Sequence, residues 1–235
     1  MIVRPEDSRQ LLITQPEHAA LAGRIMHRWT AGGLQASRRF REILLAVEEH
    51  DNGWQEVDAS PIVDQSTGRI LDFVHAPDHV RQDVWPRGVD RLAGAPYAAA
   101  LVAQHALHIY ERYRTRPGWT AFFTAMASLR DRYLAAVPDA DIDSFLRDYA
   151  FVRLGDLASL IFCNGWKDAL SESGTTVHLK GEHLVITPDP FDGQSFRIEI
   201  PAIELPDRPF PSAADAQRAL TGAPRRVVTG VVRGG

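Results

Sequence analysis

Five residues with metal-ligand chemistry lie on segments that also carry helix-period apolar stripes: His18, the adjacent pair His50-Asp51, His105 and Asp156. At about 100° per residue, His18 shares a side with Leu21, Ile25 and Trp29, and His27 on the same segment faces the other way. Asp51 falls near the middle of the stripe Phe40, Leu44, Val47, with His50 at its edge and Glu49 opposite. His105 centres the face Ala98, Leu101, Val102, Ile109, with His108 at its margin, and Asp156 is in line with Phe145, Tyr149, Val152 and Leu160. Four helices thus each aim an ionisable group at the core. An unpaired buried carboxylate costs several kcal/mol, and two of them repel, so something positive belongs between Asp51 and Asp156. Imidazoles and carboxylates from different helices are a common way to hold a metal in a helical core. This mixture of nitrogen and oxygen donors suits a divalent transition metal (Fe, Mn, Zn, Co or Ni), as one or two ions, better than calcium or magnesium. The alternative for any single one of these residues is structural: a core histidine bonded to a carbonyl, or Asp156 paired with Arg153. The ordered set is what points to a metal.

The elements that must position these groups can be read from period and punctuation. Thr14 and Glu17 form a capping box at the start of the first helix. Further helices are expected at about 37–51, 78–93 with a break around Pro86-Arg87-Gly88, 96–109, 120–136 and 142–162. Met1-Ile2-Val3-Arg4 and Leu11-Leu12-Ile13-Thr14 flank a polar turn and read as a hairpin. Thr176-Val177-His178-Leu179, His183-Leu184-Val185-Ile186 and Phe196-Arg197-Ile198-Glu199-Ile200 read as a three-stranded meander. Four prolines follow, then a short helix at 213–220 and a Gly-rich tail expected to fray. The expected fold is mainly α (α+β) in a single domain 1–235. A helical body spans 14–170, a small antiparallel sheet is built from 1–13 and 175–205, and 206–235 forms an extended tail.

Composition narrows the function. The chain has 235 residues, 45% hydrophobic and 24% charged, which suffices for a sizeable core without disulfides or structural metal. Its single cysteine, Cys163, excludes an internal disulfide and fits a reducing compartment, so a cytoplasmic location is expected. Cys163 reads as packing rather than as a nucleophile. With 30 acidic against 26 basic residues, the net charge of −4 gives no footprint for nucleic acid. No stretch approaches a membrane span or a secretory signal. The expected partner is a small-molecule substrate, without nucleic acid or membrane, and a homo-oligomer remains open. Glycine-rich phosphate loops and nucleophile elbows are absent.

The order His18, His50-Asp51, Asp156 resembles the HD-domain superfamily of metal-dependent phosphohydrolases, whose signature is a histidine, a later His-Asp pair and a distant aspartate. The run His50-Asp51-Asn52-Gly53 continues the likeness, and Trp54 departs from it, standing where many members carry lysine. The resemblance implies an HD-like helical bundle, with His18, His50, Asp51 and Asp156 holding one metal and His105, with His79 or His108, available for a second. The whole chain, from Met1-Ile2-Val3-Arg4 through Ala95-Pro96-Tyr97 to Leu154-Gly155-Asp156, is also similar to an uncharacterised bacterial domain family. The expected function is hydrolysis of a small phosphoester or nucleotide. In it Asp51 and His105 are catalytic, and Trp54 and Arg153 are substrate-binding. A diiron oxygenase with about six or more protein donors and a non-catalytic ligand-binding or sensory module are the alternatives.

Overall fold

The computed structural model describes residues 1–235. The N-terminal hairpin pairs β1 (Ile2–Glu6) with β2 (Arg9–Ile13), Ile2 opposite Ile13, as its alternation requires. Eight helices include α1 (Gln15–His27), α2 (Phe40–Glu49), the short α3 (Gln55–Ala59), α4 (Asp78–Arg91), α5 (Pro96–Ile109), α6 (Thr120–Ala135) and α7 (Ile142–Asn164). Thr14 Oγ1 caps α1 by accepting from the Glu17 amide at 3.3 Å. The Asp141 carboxylate caps α7 in the same way through the Ser144 amide, and Gly165 in the left-handed region ends that helix. Nearly every side chain of α5 from Tyr97 to Leu107 is buried. A helix apolar on all sides must be surrounded. Accordingly α2, α4, α6 and α7 all pack against it.

The rest of the chain builds β3 (Leu170–Glu172), β4 (Thr175–Lys180), β5 (His183–Thr187), β6 (Ser195–Pro206), α8 (Ala213–Gly222) and β7 (Arg225–Gly234). All seven strands join one mixed sheet in the order β1-β2-β6-β7-β5-β4-β3. The protein is 49% helix and 20% strand, with a curled seven-stranded sheet. This corrects the expected mainly-α HD-like bundle with a small antiparallel sheet. The expected meander is also rearranged, because β7 inserts between β5 and β6, antiparallel to β6 and parallel to β5. The physical reason is non-local: β7 meets β6 only across the intervening α8 and meets β5 only across β6 and α8, and its glycines mask its alternation. Gly230 is required there, since a Cβ would stand 2.5 Å from the Phe162 ring and 2.8 Å from the Glu182 carbonyl. The segment expected to fray is a central strand.

Smaller differences have local causes. α2 begins at Phe40 and stops at Glu49, so Asp51 lies beyond the helix with φ −111°. α4 runs through Pro86 without the expected break. The sheet lies against α1 through β6 and against α7 through β1, β3 and β4. A second, smaller core gathers Met1, Leu12, Ile70, Leu205, Phe210 and Ala216. No helix is long and apolar enough to cross a membrane.

Val232 of β7 is fully buried and Val227 is 55% exposed. Val232→Asp should therefore destabilise the protein by several kcal/mol, as an unpaired buried charge does, and Val227→Asp should be near neutral. Chemical denaturation of both variants checks this, and equal midpoints would contradict a central position for β7.

Candidate metal centre

His18 from α1, His50 and Asp51 from the end of α2, His105 from α5 and Asp156 from α7 come together at one place. His18 and His50 are fully or almost fully buried, and the side chain of Asp156 keeps 16% exposure. Two close approaches allow this. A Cβ on Gly155 would lie 2.8 Å from Val47 and 2.9 Å from Met26, so the missing side chain lets α7 cross α1 and α2 tightly and carries Asp156 to the histidines. A Cβ on Gly53 would fall 1.9 Å from the Val84 carbonyl oxygen, so glycine is needed where the turn after Asp51 meets α4. The glycine of the His-Asp run thus has a packing role.

Each imidazole has one nitrogen engaged outside the centre. His18 Nδ1 lies 2.8 Å from Ser159 Oγ, His50 Nδ1 lies 2.7 Å from the Val47 carbonyl oxygen, and His105 Nδ1 lies 3.2 Å from the Tyr149 hydroxyl. The Ser159 hydroxyl in turn donates to the Asp156 carbonyl at 3.0 Å. Such partners fix ring orientation and set which nitrogen is free to ligate. All three Nε2 atoms turn inward: His18 Nε2 is 2.9 Å from Asp51 Oδ2 and 3.9 Å from Asp156 Oδ1, and His50 Nε2 is 3.8 Å and 3.4 Å from the same two oxygens. His105 Nε2 is 3.5 Å from Asp156 Oδ2. His50 Nε2 is buried with no hydrogen-bond partner.

Ligand bonds of about 2.0–2.2 Å place neighbouring donors about 2.8–3.6 Å apart in octahedral or tetrahedral geometry. The separations of 2.9, 3.4 and 3.5 Å fall within that range, and those of 3.8 and 3.9 Å lie just above it. Two overlapping groups could hold an ion, His18, His50, Asp51 and His50, His105, Asp156. They share His50, whose single free nitrogen can serve one ion. The electrostatics agree with a cation. Burial disfavours a charged His50, yet the charge of Asp51 and the nearby Asp156 carboxylate overcome it and raise its pKa to about 9. Burial likewise works against an ionised Asp156, but the neighbouring His105 and His50 imidazoles hold its carboxyl well below the usual range. The two carboxylates therefore hold positive charge between them, and without a metal a proton on His50 supplies it.

A cavity of about 220 Å³ opens onto this cluster, floored by Asp51, His105 and Asp156 and walled mainly by aromatic and aliphatic side chains. Trp54, 2% exposed, forms part of its wall. Arg153 does not line it; the guanidinium is 2.9 Å from Glu172, donates to Ser173 at 2.9 Å and lies over the Tyr149 ring. His79 and His108 are exposed and belong to neither donor group, and His27 is exposed on the far side of α1. Burial pushes the Cys163 thiol far above its ordinary pKa, which leaves it inert. Ser159 and Tyr149 escaped the sequence reading. Ser159 was visible at the i+3 position from Asp156, whereas Tyr149 looked like an ordinary member of the apolar stripe. Trp85, also on the cavity wall, lies on the helix that Pro86 was expected to break.

Residues 1–207 match the family described as "Protein of unknown function (DUF3891)". The chain belongs to the DUF3891 family. The match ends before α8 and β7. No curated protein and no solved structure shows significant similarity to this DUF3891 chain. Nothing found supports membership of the HD superfamily that the ligand order resembles.

Gly155→Val should push α7 away from Val47 and Met26, costing about 1–3 kcal/mol in stability. It should also weaken metal retention, because Asp156 moves with the helix. Denaturation and elemental analysis of the same sample measure both effects, and unchanged metal content would separate the helix crossing from the centre.

Proposed function

We propose that this DUF3891 protein is a metal-dependent hydrolase in which His18, His50, Asp51 and Asp156 hold one divalent transition metal. The observation that carries this reading is the convergence of three imidazole Nε2 atoms on two buried carboxylates, with His50 Nε2 left unpartnered. Such an ion, when bound, lowers the pKa of a coordinated water toward neutrality and polarises the bond under attack.

The chain supplies the remaining parts. Ser159 and the Val47 carbonyl hold the rings of His18 and His50. The apolar walls exclude bulk water. His105 lines the cavity with Nε2 beside Asp156 and Nδ1 beside the Tyr149 hydroxyl, a position from which it can pass a proton to a leaving group. Asp51, with a carboxylate oxygen 2.9 Å from His18 Nε2, would stand beside that nitrogen as a fellow donor to the ion. The ligand order resembles that of metal phosphohydrolases, which supports hydrolysis as the reaction type. The diiron alternative needs about six or more donors, and five converge here, with His79 and His108 elsewhere.

Elemental analysis of protein purified without a metal-affinity tag should give about one equivalent of transition metal per chain. Asp51→Ala should lose it and His27→Ala should keep it. Equal content in all three proteins would overturn the site. If none of them holds metal after soaking with manganese, iron or zinc, the cluster is structural and the non-catalytic reading takes its place. His105→Gln should retain the metal and lower turnover by about 10²–10⁴-fold, the usual contribution of a proton-transferring group. Loss of metal in that variant would instead make His105 a ligand.

A further inference from the structure

The cavity over the metal centre has a chemical character of its own. Of the 12 residues lining it, 8 are hydrophobic, and none is lysine or arginine. Trp166 and Val74, each 39% exposed, are its most solvent-exposed apolar lining residues. Two polar atoms on its lining residues are buried without hydrogen-bond partners, Trp85 Nε1 and Gln15 Oε1. Trp85 is 3% exposed and Gln15 1% exposed, so water does not readily satisfy either group. The Tyr110 ring stands edge-on to Trp85 at 6.1 Å between centroids.

The charge balance limits what can enter. Asp51 and Asp156 together offset a divalent ion, so a phosphoester dianion would bring two further negative charges into an apolar cavity with no lysine or arginine to meet them. Size sets a second limit. An apolar cavity of about 150 Å³ admits benzene, so about 220 Å³ fits one ring with a small substituent. Neither buried atom, Trp85 Nε1 or Gln15 Oε1, is exposed to the cavity, so its character is set by the apolar surface of its walls.

We propose that the cavity takes an uncharged, largely apolar small molecule of about one ring and a substituent in place of a phosphoester. This rests on the hydrolase reading for its reaction and on the cavity alone for its ligand. The hydrolysable form is a carboxylic ester. Water adds through its oxygen to the acyl carbon and the ester carbon–oxygen bond breaks. One water proton goes to the departing alkoxide, and the other leaves with the carboxylic acid.

Two matched pairs of probes test it on the full chain loaded with zinc or manganese. Calorimetry should show benzamide binding at least about 10-fold more tightly than phenyl phosphate. Phenol release should be faster from phenyl acetate than from phenyl phosphate. Val74→Arg, at an exposed position, should improve phenyl phosphate binding by about 10-fold. Tighter binding of phenyl phosphate than of benzamide by the metal-loaded protein would overturn the inference and leave the metal centre standing. Failure of both probes to bind would do the same. Benzamide binding in a protein that retains no metal would sustain the inference and remove the hydrolase reading.

Discussion

Asp51 and Asp156 lie on either side of His18 and His50 in a largely buried part of the protein, and this arrangement depends on positive charge between the carboxylates. Burying two carboxylates without compensation would cost much of the stability of a domain. The imidazoles can meet that demand by taking a proton or by presenting Nε2 to a metal. Outward hydrogen bonds on all three Nδ1 atoms leave the inward nitrogens available for either. The resulting unit has its orientation fixed before any ion arrives, and preorganisation of this kind is what makes a metal site selective and reactive.

That unit exists because helices approach unusually closely. Gly155 lets α7 press against the side chains of Val47 and Met26 on α2 and α1, and Gly53 lets the turn after Asp51 rest on the α4 backbone. Even one added carbon at either place would collide with atoms in the next element. The same α4 carries Trp85, so the contact that shapes the turn beside Asp51 also sets one wall of the cavity. Donor geometry and cavity shape are therefore coupled through glycine contacts rather than through the donors alone.

The centre and its surroundings differ in chemistry. The donors are charged and tightly bonded, whereas the walls are aromatic and aliphatic without a basic group. Arginines are not lacking elsewhere, but Arg153 is tied to Glu172 and Arg81 to Asp78 and the rings of Tyr113 and Trp119.

By itself the sequence determined which face of its helix His18, His105 and Asp156 occupy, and most of the helices. The inward phase of His18, His105 and Asp156 against the outward phase of His27 follows from a 3.6-residue period, and the Thr14 cap and the hairpin follow from local chemistry. These features depend on neighbours within a few residues, so they are legible in one dimension. Tertiary structure alone decided the sheet, since β7 finds β5 and β6 only across long separations and its parallel pairing leaves no local signature. It also decided that Asp51 reaches the centre from beyond the end of α2, that Arg153 turns away to Glu172, and that Trp85, Trp166 and Phe73 enclose one cavity. Periodicity tells which way a residue faces on its own element. What it faces depends on how distant elements pack.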